Sequence, residues 1–386
     1  MQELTPSTQN GMPMSRPQVL AGASDLDADL SAAVQRELTA FLAARETECT
    51  RIDGAVASAV RVLADFVLSG GKRLRPTFAW WGWRGAGGNP TGDQARAVLR
   101  AASALELLQA GALIHDDVMD SSMTRRGMPT VHVTFAARHA SRRWLGPAER
   151  FGAAAATLLG DYALLWADDL LRDAGLDPAA LQRASAVWSS MRIELIAGQY
   201  LDVRAQASGD ETDRAALRVA RYKSAAYTVE RPLHLGAAIF DADAQVIAAY
   251  RRFGTDIGIA FQLRDDLLGV FGDPAVTGKP AGDDLREGKR TLLVALALRA
   301  AERRADQAAE AAVAVVRAAL GKQELAGTEL DAVRAALVEL GAVDAIERRI
   351  EALTESALTA LGTATVAEPA ASRLAELAIA ATHRSF

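Results

Sequence analysis

The chain has little of several features that mark common classes of protein. It contains one cysteine, Cys49, among 386 residues, which excludes a disulfide within the chain and is typical of a reducing compartment. Its 43 basic residues face 48 acidic ones, so the net charge of −5 leaves no excess of positive charge for binding phosphates along a polynucleotide. We therefore expect no nucleic acid among its partners.

Long apolar runs are also missing. No stretch reaches the roughly 18 apolar residues that a membrane-spanning helix needs, because the longest candidate, residues 152–171, is interrupted by Asp161. The first residues lack the apolar core of a secretory signal. From these two absences we expect a cytoplasmic protein with no membrane span.

Helix-forming residues fill most of the chain. Residues 1–24 mix proline, glycine, serine and methionine without a period, and we expect a flexible N-terminal tail there. Beyond this tail alanine is abundant, and apolar residues recur at spacings of three and four, the period of an amphipathic helix. The sequence predicts an all-α fold, with a single helical-bundle domain over residues 25–386.

The sequence HDDVMD (115–120) concentrates acidic residues at one point of a predicted helix. Asp116 and Asp120 share a helix face, whereas Asp117 lies about 100° around the axis. Like charges at this spacing repel each other, and one such cluster is more often a solvated helix end than a binding site. A second pair, Asp265 and Asp266, follows another apolar helical segment, which makes a shared site the better interpretation.

Two carboxylate-bearing helix faces directed at one another would hold hard divalent cations. Mg²⁺ is bound through one or two carboxylates and keeps its other positions for water and phosphate oxygens, so a pair of such sites suits a diphosphate. The histidines and the cysteine have no zinc-binding spacing, and no nucleotide-binding GxxxxGK[ST] sequence is present. The sequence therefore predicts a magnesium site.

Basic residues lie close in sequence to both aspartate clusters. They occur in GGKRLRP (70–76), in RRGMPT (125–130), in YKS (222–224) and in the glycine-rich segment 272–289. Arginine binds phosphate oxygens through two parallel N–H groups, and lysine adds a point charge. Each of these residues alone is more often a surface charge. Together with the aspartates, they are the groups that a site for two anionic substrates needs.

These segments together resemble the trans-isoprenyl diphosphate synthases, the polyprenyl synthetase family. The sequence around the motifs is most similar to that of the geranylgeranyl diphosphate synthases of actinobacterial type. The matching motifs are GGKxxR (70–75), LLQAxxLIHDDVMD (107–120), RRGMPTVH (125–132), GQYLD (198–202), YKSAAY (222–227), FQLRDD (261–266) and GKPAGDDLREGK (278–289). The resemblance implies an isoprenoid-synthase helical bundle around a deep central cavity, and a homodimer. It also implies a Mg²⁺-dependent prenyltransferase that condenses isopentenyl diphosphate with allylic diphosphates.

The resemblance further implies roles for individual residues. The metal ligands would be Asp116, Asp120 and Asp265, holding three Mg²⁺ ions, with support from Asp117 and Asp266. The allylic diphosphate would be held by Arg125, Lys223, Gln262 and Lys279, and isopentenyl diphosphate by Lys72, Arg75, Gln109 and Arg126. Ser224 stands where the family often has threonine, and Lys289 lies in the closing loop, so both are expected near substrate. The catalytic set would be Asp116, Asp120, Arg125, Lys223 and Asp265.

One position departs from the family pattern. The second cluster often reads DDxxD, but position 269 is glycine here and the next acidic residue is Asp273, which leaves a third ligand on that helix in doubt. We interpret two further acidic pairs, 168–169 and 283–284, as unconnected with the metal site. Because prenyl transfer needs no protein nucleophile, His115 is interpreted as a structural neighbour of the first cluster.

Product length is expected to depend on residues just below the first cluster. Gly111 and Ala112 are small where short-chain members of the family carry a large aromatic residue, and Leu108 lies one turn deeper, about 5.4 Å along the helix. This predicts passage beyond farnesyl to geranylgeranyl diphosphate. Farnesyl and longer products stay open, because a neighbouring helix could set the floor of the cavity. Alternatively, Gly111 only allows close helix packing.

Two other functions share parts of this pattern. A terpene cyclase has the same fold and first aspartate motif, but FQLRDDLLG (261–269) is not the Asn/Ser/Glu second motif of cyclases. Cyclases also lack a second diphosphate site such as GGKRLR (70–75) provides. A regulatory subunit of a heteromeric synthase usually loses aspartates, whereas both pairs are intact here. The glycine at position 269 keeps the subunit alternative open.

Overall fold

The computed structural model describes residues 26–273, 281–322 and 324–382. Helices make up nearly all of the regular structure in these ranges, which confirms the all-α prediction. The expected tail (1–24) and Lys279, a predicted ligand of the allylic diphosphate, lie outside the described residues.

The helices follow one another along the chain with short connections. The first are α1 (Leu30–Thr50), α2 (Gly54–Leu68), α3 (Leu74–Gly85) and α4 (Gly92–Met119). A hairpin of β1 (Thr124–Arg125) and β2 (Met128–Pro129) precedes α5 (Val131–Ser141), α6 (Ala148–Arg172) and α7 (Pro178–Ser208). Next come α8 (Asp213–Val219), a π-helix (Ala220–Glu230), α9 (Arg231–Phe240) and α10 (Ala244–Phe271). The last are α11 (Asp283–Arg286), α12 (Leu292–Arg304), α13 (Gln307–Ala319), α14 (Gly327–Glu339), α15 (Ala342–Leu361) and α16 (Ala370–Thr382).

Several helices begin at a residue whose side chain caps the first turn. Asp53, Asp177, Asp243 and Thr291 each accept a hydrogen bond from a backbone N–H of the helix that follows. A cap of this kind stabilises a helix by about 1 kcal/mol. The local sequence therefore favours the observed starts of α2, α7, α10 and α12, of which α7 and α10 carry site residues.

Helix α4 runs through the core and packs against α1, α3 and α6. Within the described ranges it is the one helix long and apolar enough to cross a membrane, but 78% of its most apolar window is buried inside the fold. The sequence led us to expect no such segment and pointed to α6 as the longest apolar candidate. The correction is that α4 passes the length and composition test, as the buried core helix of a folded domain does. The cytoplasmic location stays a prediction.

Helix α10 takes part in two hydrophobic cores. Tyr250, Phe253 and Ile257, in its first half, belong to the core that the helices before it form. Leu263 and Leu267, in its second half, belong to a core shared with the helices after it. The second aspartate pair thus follows the point where the two cores meet. The single-domain organisation over the whole of 25–386 stays a prediction.

The π-helix is held between α7 and α10 at very short distance. A Cβ atom at Gly198 of α7 would lie 2.2 Å from the backbone nitrogen of Lys223, and one at Gly258 of α10 would lie 2.5 Å from the Cα of Ala225. Real Cβ atoms essentially never come that close, so both positions need glycine. π-Helical turns are rare and are frequent at functional sites. Here the close packing on both sides fixes the place of Lys223.

Candidate active site

A cavity of about 800 Å³ lies among α3, α4, α7, the π-helix and α10. The predicted site residues that line it are Lys72, Arg75, Gln109, Ala112, Asp116, Arg125, Arg126, Lys223, Ser224, Gln262, Asp265, Asp266 and Lys289. Asp117 and Asp120 do not line the cavity, but each pairs with a residue that does. The structure therefore brings most of the predicted set together around one space.

The first aspartate cluster lies at the C-terminal end of α4, where Asp120 is the C-cap residue. Backbone carbonyl groups give this end of a helix a partial negative charge, which adds to the repulsion between the carboxylates. Cations compensate for both effects. The guanidinium of Arg125 binds Asp117 through Nε at 2.8 Å and Nη2 at 2.6 Å. Asp116 accepts hydrogen bonds from Lys223 Nζ at 2.8 Å and from Gln199 Nε2 at 2.9 Å.

The same surroundings move the pKa values of two aspartates in opposite directions. Burial would raise the pKa of Asp116, but the charges of the nearby cations, above all Lys223 and Lys289, hold it well below its usual range. Burial and the negative charge of Asp116 raise the pKa of Asp120 to about 6. The Oδ2 atom of Asp120 is buried and has no hydrogen-bond partner in the described part of the chain. A buried oxygen of this kind costs free energy unless a donor or a cation reaches it.

The β1–β2 hairpin positions the two arginines that follow the first cluster. Its central residues, Arg126 and Gly127, have φ values of 54° and 75°, the left-handed pair that a two-residue type I′ turn requires. The strands on either side of this turn form a short antiparallel pairing. Arg125 thereby reaches Asp117, while Arg126 donates from Nη1 to the backbone oxygen of Gly70 at 2.8 Å.

A second group of polar and basic residues surrounds the start of α3. Its members that line the cavity include Lys72, Arg75, Gln109 and Arg126. Arg75 is buried, donates from Nη2 to Thr228 Oγ1 at 2.8 Å, and lies 4.2 Å from the ring centre of Tyr227. Its Nε is buried without a hydrogen-bond partner among the described residues. Held donors beside the cavity are what recognition of a phosphate needs.

The second aspartate cluster lies in the last two turns of α10. Gln262 Nε2 donates to Asp266 Oδ1, four residues further along the helix, at 2.7 Å. Burial, followed by the negative charge of Asp284, raises the pKa of Asp266 to about 8. A Cβ atom at Gly269 would lie only 2.4 Å from Oδ2 of Asp284. Our interpretation of the pair 283–284 as unconnected with the site is therefore wrong, because both residues line the cavity.

Lys289 links the two clusters. Its ammonium lies 3.5 Å from Asp120 Oδ2 and 3.5 Å from Asp284 Oδ1, and it also pairs closely with Glu287. Burial lowers the pKa of Lys289, but the charges of Asp284 and Glu287 outweigh it and raise the pKa well above its usual value. A permanent positive charge therefore stands where carboxylates from two parts of the chain meet.

The residues present fit Mg²⁺ bound together with a diphosphate. Over the described ranges, no group of three or more His, Cys, Asp or Glu side chains is placed to hold a metal ion by itself. That arrangement suits Mg²⁺, which uses one or two carboxylates and completes its octahedron with water and phosphate oxygens. The unbonded, buried Oδ2 of Asp120 is a hard oxygen ligand of the right type.

Two of the three residues expected to set product length do not face the cavity. Ala112 lines it, whereas Leu108 is 1% exposed and belongs to the hydrophobic core. A Cβ atom at Gly111 would lie 2.8 Å from Cγ of Leu164 and 3.0 Å from the backbone oxygen of Gly160, both in α6. Gly111 thus allows α4 and α6 to pack closely, which is the alternative left open above.

The GQYLD motif supplies two site residues that received no role from the sequence. Gln199 binds Asp116, and Asp202 accepts a hydrogen bond from Lys223 Nζ at 2.5 Å. Lys223 is therefore held between two carboxylates, which raise its pKa although burial lowers it. The motif in the sequence could have pointed to these two residues. Their contacts with Asp116 and Lys223, however, depend on the packing of α7 against the π-helix. His115 Nε2 donates to the backbone oxygen of Thr157 at 3.1 Å, a structural contact as expected.

Residues 57–324 match the family model described as polyprenyl synthetase. The chain belongs to the polyprenyl synthetase family. The crystal structure of geranylgeranyl pyrophosphate synthase from Corynebacterium glutamicum, complexed with isoprenyl diphosphate and magnesium, is 46% identical. That match covers 94% of this chain and 99% of the other, with a TM-score of 0.88.

Curated relatives of the family differ in the product that their names give. Geranylfarnesyl diphosphate synthase of Aeropyrum pernix is 37% identical over 62% of this chain and 70% of its own length. Geranylgeranyl diphosphate synthase of Mycobacterium tuberculosis is 38% identical over 60% of this chain and 59% of its own length. These matches confirm the predicted family and the predicted class, a chain-elongating prenyltransferase.

Proposed function

We propose that this protein is a Mg²⁺-dependent geranylgeranyl diphosphate synthase, which adds isopentenyl diphosphate to allylic diphosphates. The observation that carries the proposal is the cavity lined by carboxylates of both clusters and by two groups of basic residues. A binding module for one phosphate would not need both groups. The three Mg²⁺ ions that the resemblance implies are part of this proposal.

The allylic diphosphate would occupy the space between the two aspartate clusters. Asp116, Asp120 and Asp265 would hold Mg²⁺, which when bound neutralises negative charge on a departing diphosphate. Lys223 and Arg125 would donate to the same diphosphate, and they are held for this by carboxylates on their far sides. Because these cations are in place before substrate binds, little reorganisation is needed during the reaction.

Isopentenyl diphosphate would bind at the start of α3, through Lys72, Arg75 and Arg126. The bond between C1 of the allylic substrate and its diphosphate oxygen breaks, and the double bond of isopentenyl diphosphate attacks C1. The proton lost from the adduct passes to the released diphosphate, so no protein nucleophile is required. Apolar residues such as Leu195 and Phe261 line the cavity and exclude water, which would otherwise trap the allylic cation.

The function is tested by incubating the purified protein with Mg²⁺, isopentenyl diphosphate and, separately, dimethylallyl, geranyl or farnesyl diphosphate. Mass spectrometry of the products should show elongation ending at geranylgeranyl diphosphate, and Asp116→Ala should abolish it. A cyclised hydrocarbon would favour the terpene cyclase. No elongation with any primer would favour a regulatory subunit that needs a partner.

Product length is tested at two neighbouring positions of α4. Ala112→Phe places an aromatic ring on the cavity wall, and we expect the major product to shorten to farnesyl diphosphate while elongation continues. Gly111→Ala is the matched control, because its Cβ would meet Leu164 at 2.8 Å. It should lower thermal stability and leave product length unchanged. A shortened product from Gly111→Ala alone would return the chain-length role to that residue.

We also propose a homodimer formed through α6 and α7. Leu158 and Leu165 of α6 are 62% and 63% exposed, and Ile193, Ile196 and Tyr200 of α7 are 68%, 65% and 68% exposed. Within each helix these residues recur at the spacing of one face. An apolar surface of this kind on a folded protein marks a contact with a protein partner, and a second copy buries it symmetrically.

Light scattering after gel filtration should give twice the chain mass of 40.8 kDa. Ile196→Glu should shift the protein toward the monomer. Val338→Glu, an equally drastic change at a 58% exposed residue of α14, should not. A monomeric wild-type protein would contradict the proposal.

A further inference from the structure

The second aspartate cluster has a gap at Gly269 of α10. Positions 265 and 269 share a helix face, so a carboxylate at 269 would stand beside that of Asp265. The space that a side chain at 269 would enter is occupied by Asp284. A Cβ atom there would lie 2.4 Å from Oδ2, 3.1 Å from Cγ and 3.8 Å from Cβ of Asp284. The carboxylate that fills this gap is thus that of Asp284, which belongs to a different element, α11.

Backbone contacts hold this carboxylate in place. The N–H of Gly282, the N-cap of α11, donates to the backbone oxygen of Gly269 at 2.8 Å and ties the two helices together. The N–H of Lys289 donates to the backbone oxygen of Asp284 at 2.9 Å. Asp284 lines the same cavity as Asp265 and Gly269. Its position is therefore part of the folded site and depends on the end of α10.

Asp284 also faces the first cluster across a cation. The ammonium of Lys289 is 3.5 Å from Asp284 Oδ1 and 3.5 Å from Asp120 Oδ2. That oxygen of Asp120 is buried, with its side chain 3% exposed, and has no hydrogen-bond partner in the part of the chain described. The charge of this oxygen is met by the ammonium at ion-pair distance but by no hydrogen bond, so positive charge stabilises it at this place.

We propose that Asp284 supplies to the second aspartate cluster the Mg²⁺-binding carboxylate that is missing at Gly269. The inference rests on the proposed function, since it takes Mg²⁺ and a diphosphate as the ligands. It fits the glycine at the fourth position after Asp265, because an aspartate there would have to displace the carboxylate of Asp284 and would place two like charges together. The second cluster would then have a carboxylate at this place from α11, although α10 carries none at position 269.

The test compares Asp284→Ala, Gly269→Asp and the double variant that moves the carboxylate back onto α10. In the double variant the two Cβ atoms stay 3.8 Å apart, an ordinary contact. Asp93→Asn is the control, because it removes one negative charge from a residue whose side chain is 98% exposed at the far end of α4. Thermal unfolding is followed during Mg²⁺ titration at fixed inorganic diphosphate, so that the Mg²⁺ concentration of half-maximal stabilisation is measured without turnover.

We expect Asp284→Ala to raise this concentration by about 10- to 100-fold, the usual effect of losing a carboxylate at a metal site. The double variant should recover most of the loss, and Asp93→Asn should match the wild type. Gly269→Asp alone should lower the melting temperature without Mg²⁺. A half-maximal concentration for Asp284→Ala equal to that of Asp93→Asn would overturn the proposal. So would a folded double variant as weak as Asp284→Ala, since a purely structural Asp284 could not be replaced from α10.

The KM for Mg²⁺ during prenyl transfer separates this inference from the proposed function. If the wild-type protein elongates no allylic primer, the proposed function fails whatever the titration shows. If the wild type elongates normally and Asp284→Ala keeps the wild-type KM for Mg²⁺, the function stands and the role of Asp284 fails.

Discussion

The two aspartate clusters lie at corresponding ends of two long helices, α4 and α10, but they are charged in different ways. Asp116 and Asp117 are matched by Lys223 and Arg125, so this cluster is ionised before any metal binds. Asp266 has the amide of Gln262 as its hydrogen-bond partner and a second carboxylate nearby, and its pKa of about 8 keeps it largely protonated at neutral pH. The first cluster is thus prepared in advance by its cations, whereas Asp266 of the second cluster keeps its proton.

This difference teaches that similar motifs do not imply similar electrostatics. Both pairs follow apolar helical segments and both end at the negative pole of a helix. What separates them is the number of basic residues that the rest of the fold brings to each. A buried carboxylate without such a cation keeps its proton, because burial in a poorly polarisable interior disfavours the charged form.

The largest effect should come from breaking the prepared cluster. Asp116→Asn removes a proposed metal ligand and leaves Asp202 as the carboxylate that holds Lys223, so we expect kcat for prenyl transfer to fall by about 10³-fold, the cost of losing a preorganised charge-stabilising group. Asp266→Asn should cost less than about 10²-fold, because the wild-type side chain is itself largely neutral. Steady-state kinetics at saturating Mg²⁺ decides this. Equal losses in the two variants would mean that the clusters are equivalent once the metal is bound.

A middle-sized effect should follow from removing the cation between the clusters. Lys289→Met leaves Asp120, Asp284 and Glu287 without their shared ammonium, and breaking a buried ion pair costs about 3 kcal/mol of unfolding free energy. Urea denaturation in EDTA measures it. Mg²⁺ with inorganic diphosphate should reduce the deficit, because the metal restores positive charge at the same carboxylates.

Lys322→Met is the matched control for this prediction. Its side chain is 45% exposed and pairs with Glu329 at the surface, so its loss should cost under about 1 kcal/mol. The interpretation of Lys289 as the link between the clusters would be abandoned if the two variants lost equal stability.

The smallest effect should be a pH dependence above pH 7 that comes from Asp266 of the second cluster, since the pKa of Asp120 in the first cluster is only about 6. The pKa of Asp266 is about 8 in the folded protein against an ordinary 3.8, so the folded state keeps a proton that the unfolded state loses. The stabilisation from this proton is complete below about pH 4 and is lost as the pH rises toward 8. Asp284, Asp265 and Lys289 also act on this group.

Urea denaturation in EDTA at pH 7 and pH 8 measures this dependence. Wild-type stability should fall between these values, at most by about 1.4 kcal/mol per pH unit for one proton. Asp266→Asn should fall less steeply, because it has no proton to lose. Parallel slopes for the two proteins would show that Asp266 is ionised in both states.

The sequence was sufficient for the helical class and for most residues of the cavity, because helix period and motif spacing are local properties. Asp116 and Asp120 share a face by that period, and the structure places both at one helix end. The pairing of Lys223 with Asp116 spans 107 residues of sequence and depends on how closely α7 and α10 pack against the π-helix. No local pattern contains that information.

Two misinterpretations have the same physical origin. Gly111 was assigned to the cavity because a helix period tells which residues share a face, but not which neighbour that face meets. In the structure it meets Leu164 of α6. Asp284 was set aside because it belongs to a loop segment, whose path the sequence does not predict. Its contact with Gly269 depends on the backbone bond from Gly282.

The burial of α4 also has a consequence for how the chain is made. This helix would serve as a membrane anchor by length and composition, and it is complete at Met119, whereas its packing partner α6 is complete only at Arg172. During synthesis α4 is therefore finished when its packing partners α1 and α3 exist but α6 does not. In that interval the apolar surface that α6 later covers has no partner. The pace at which α5 and α6 follow decides how long that surface stays uncovered.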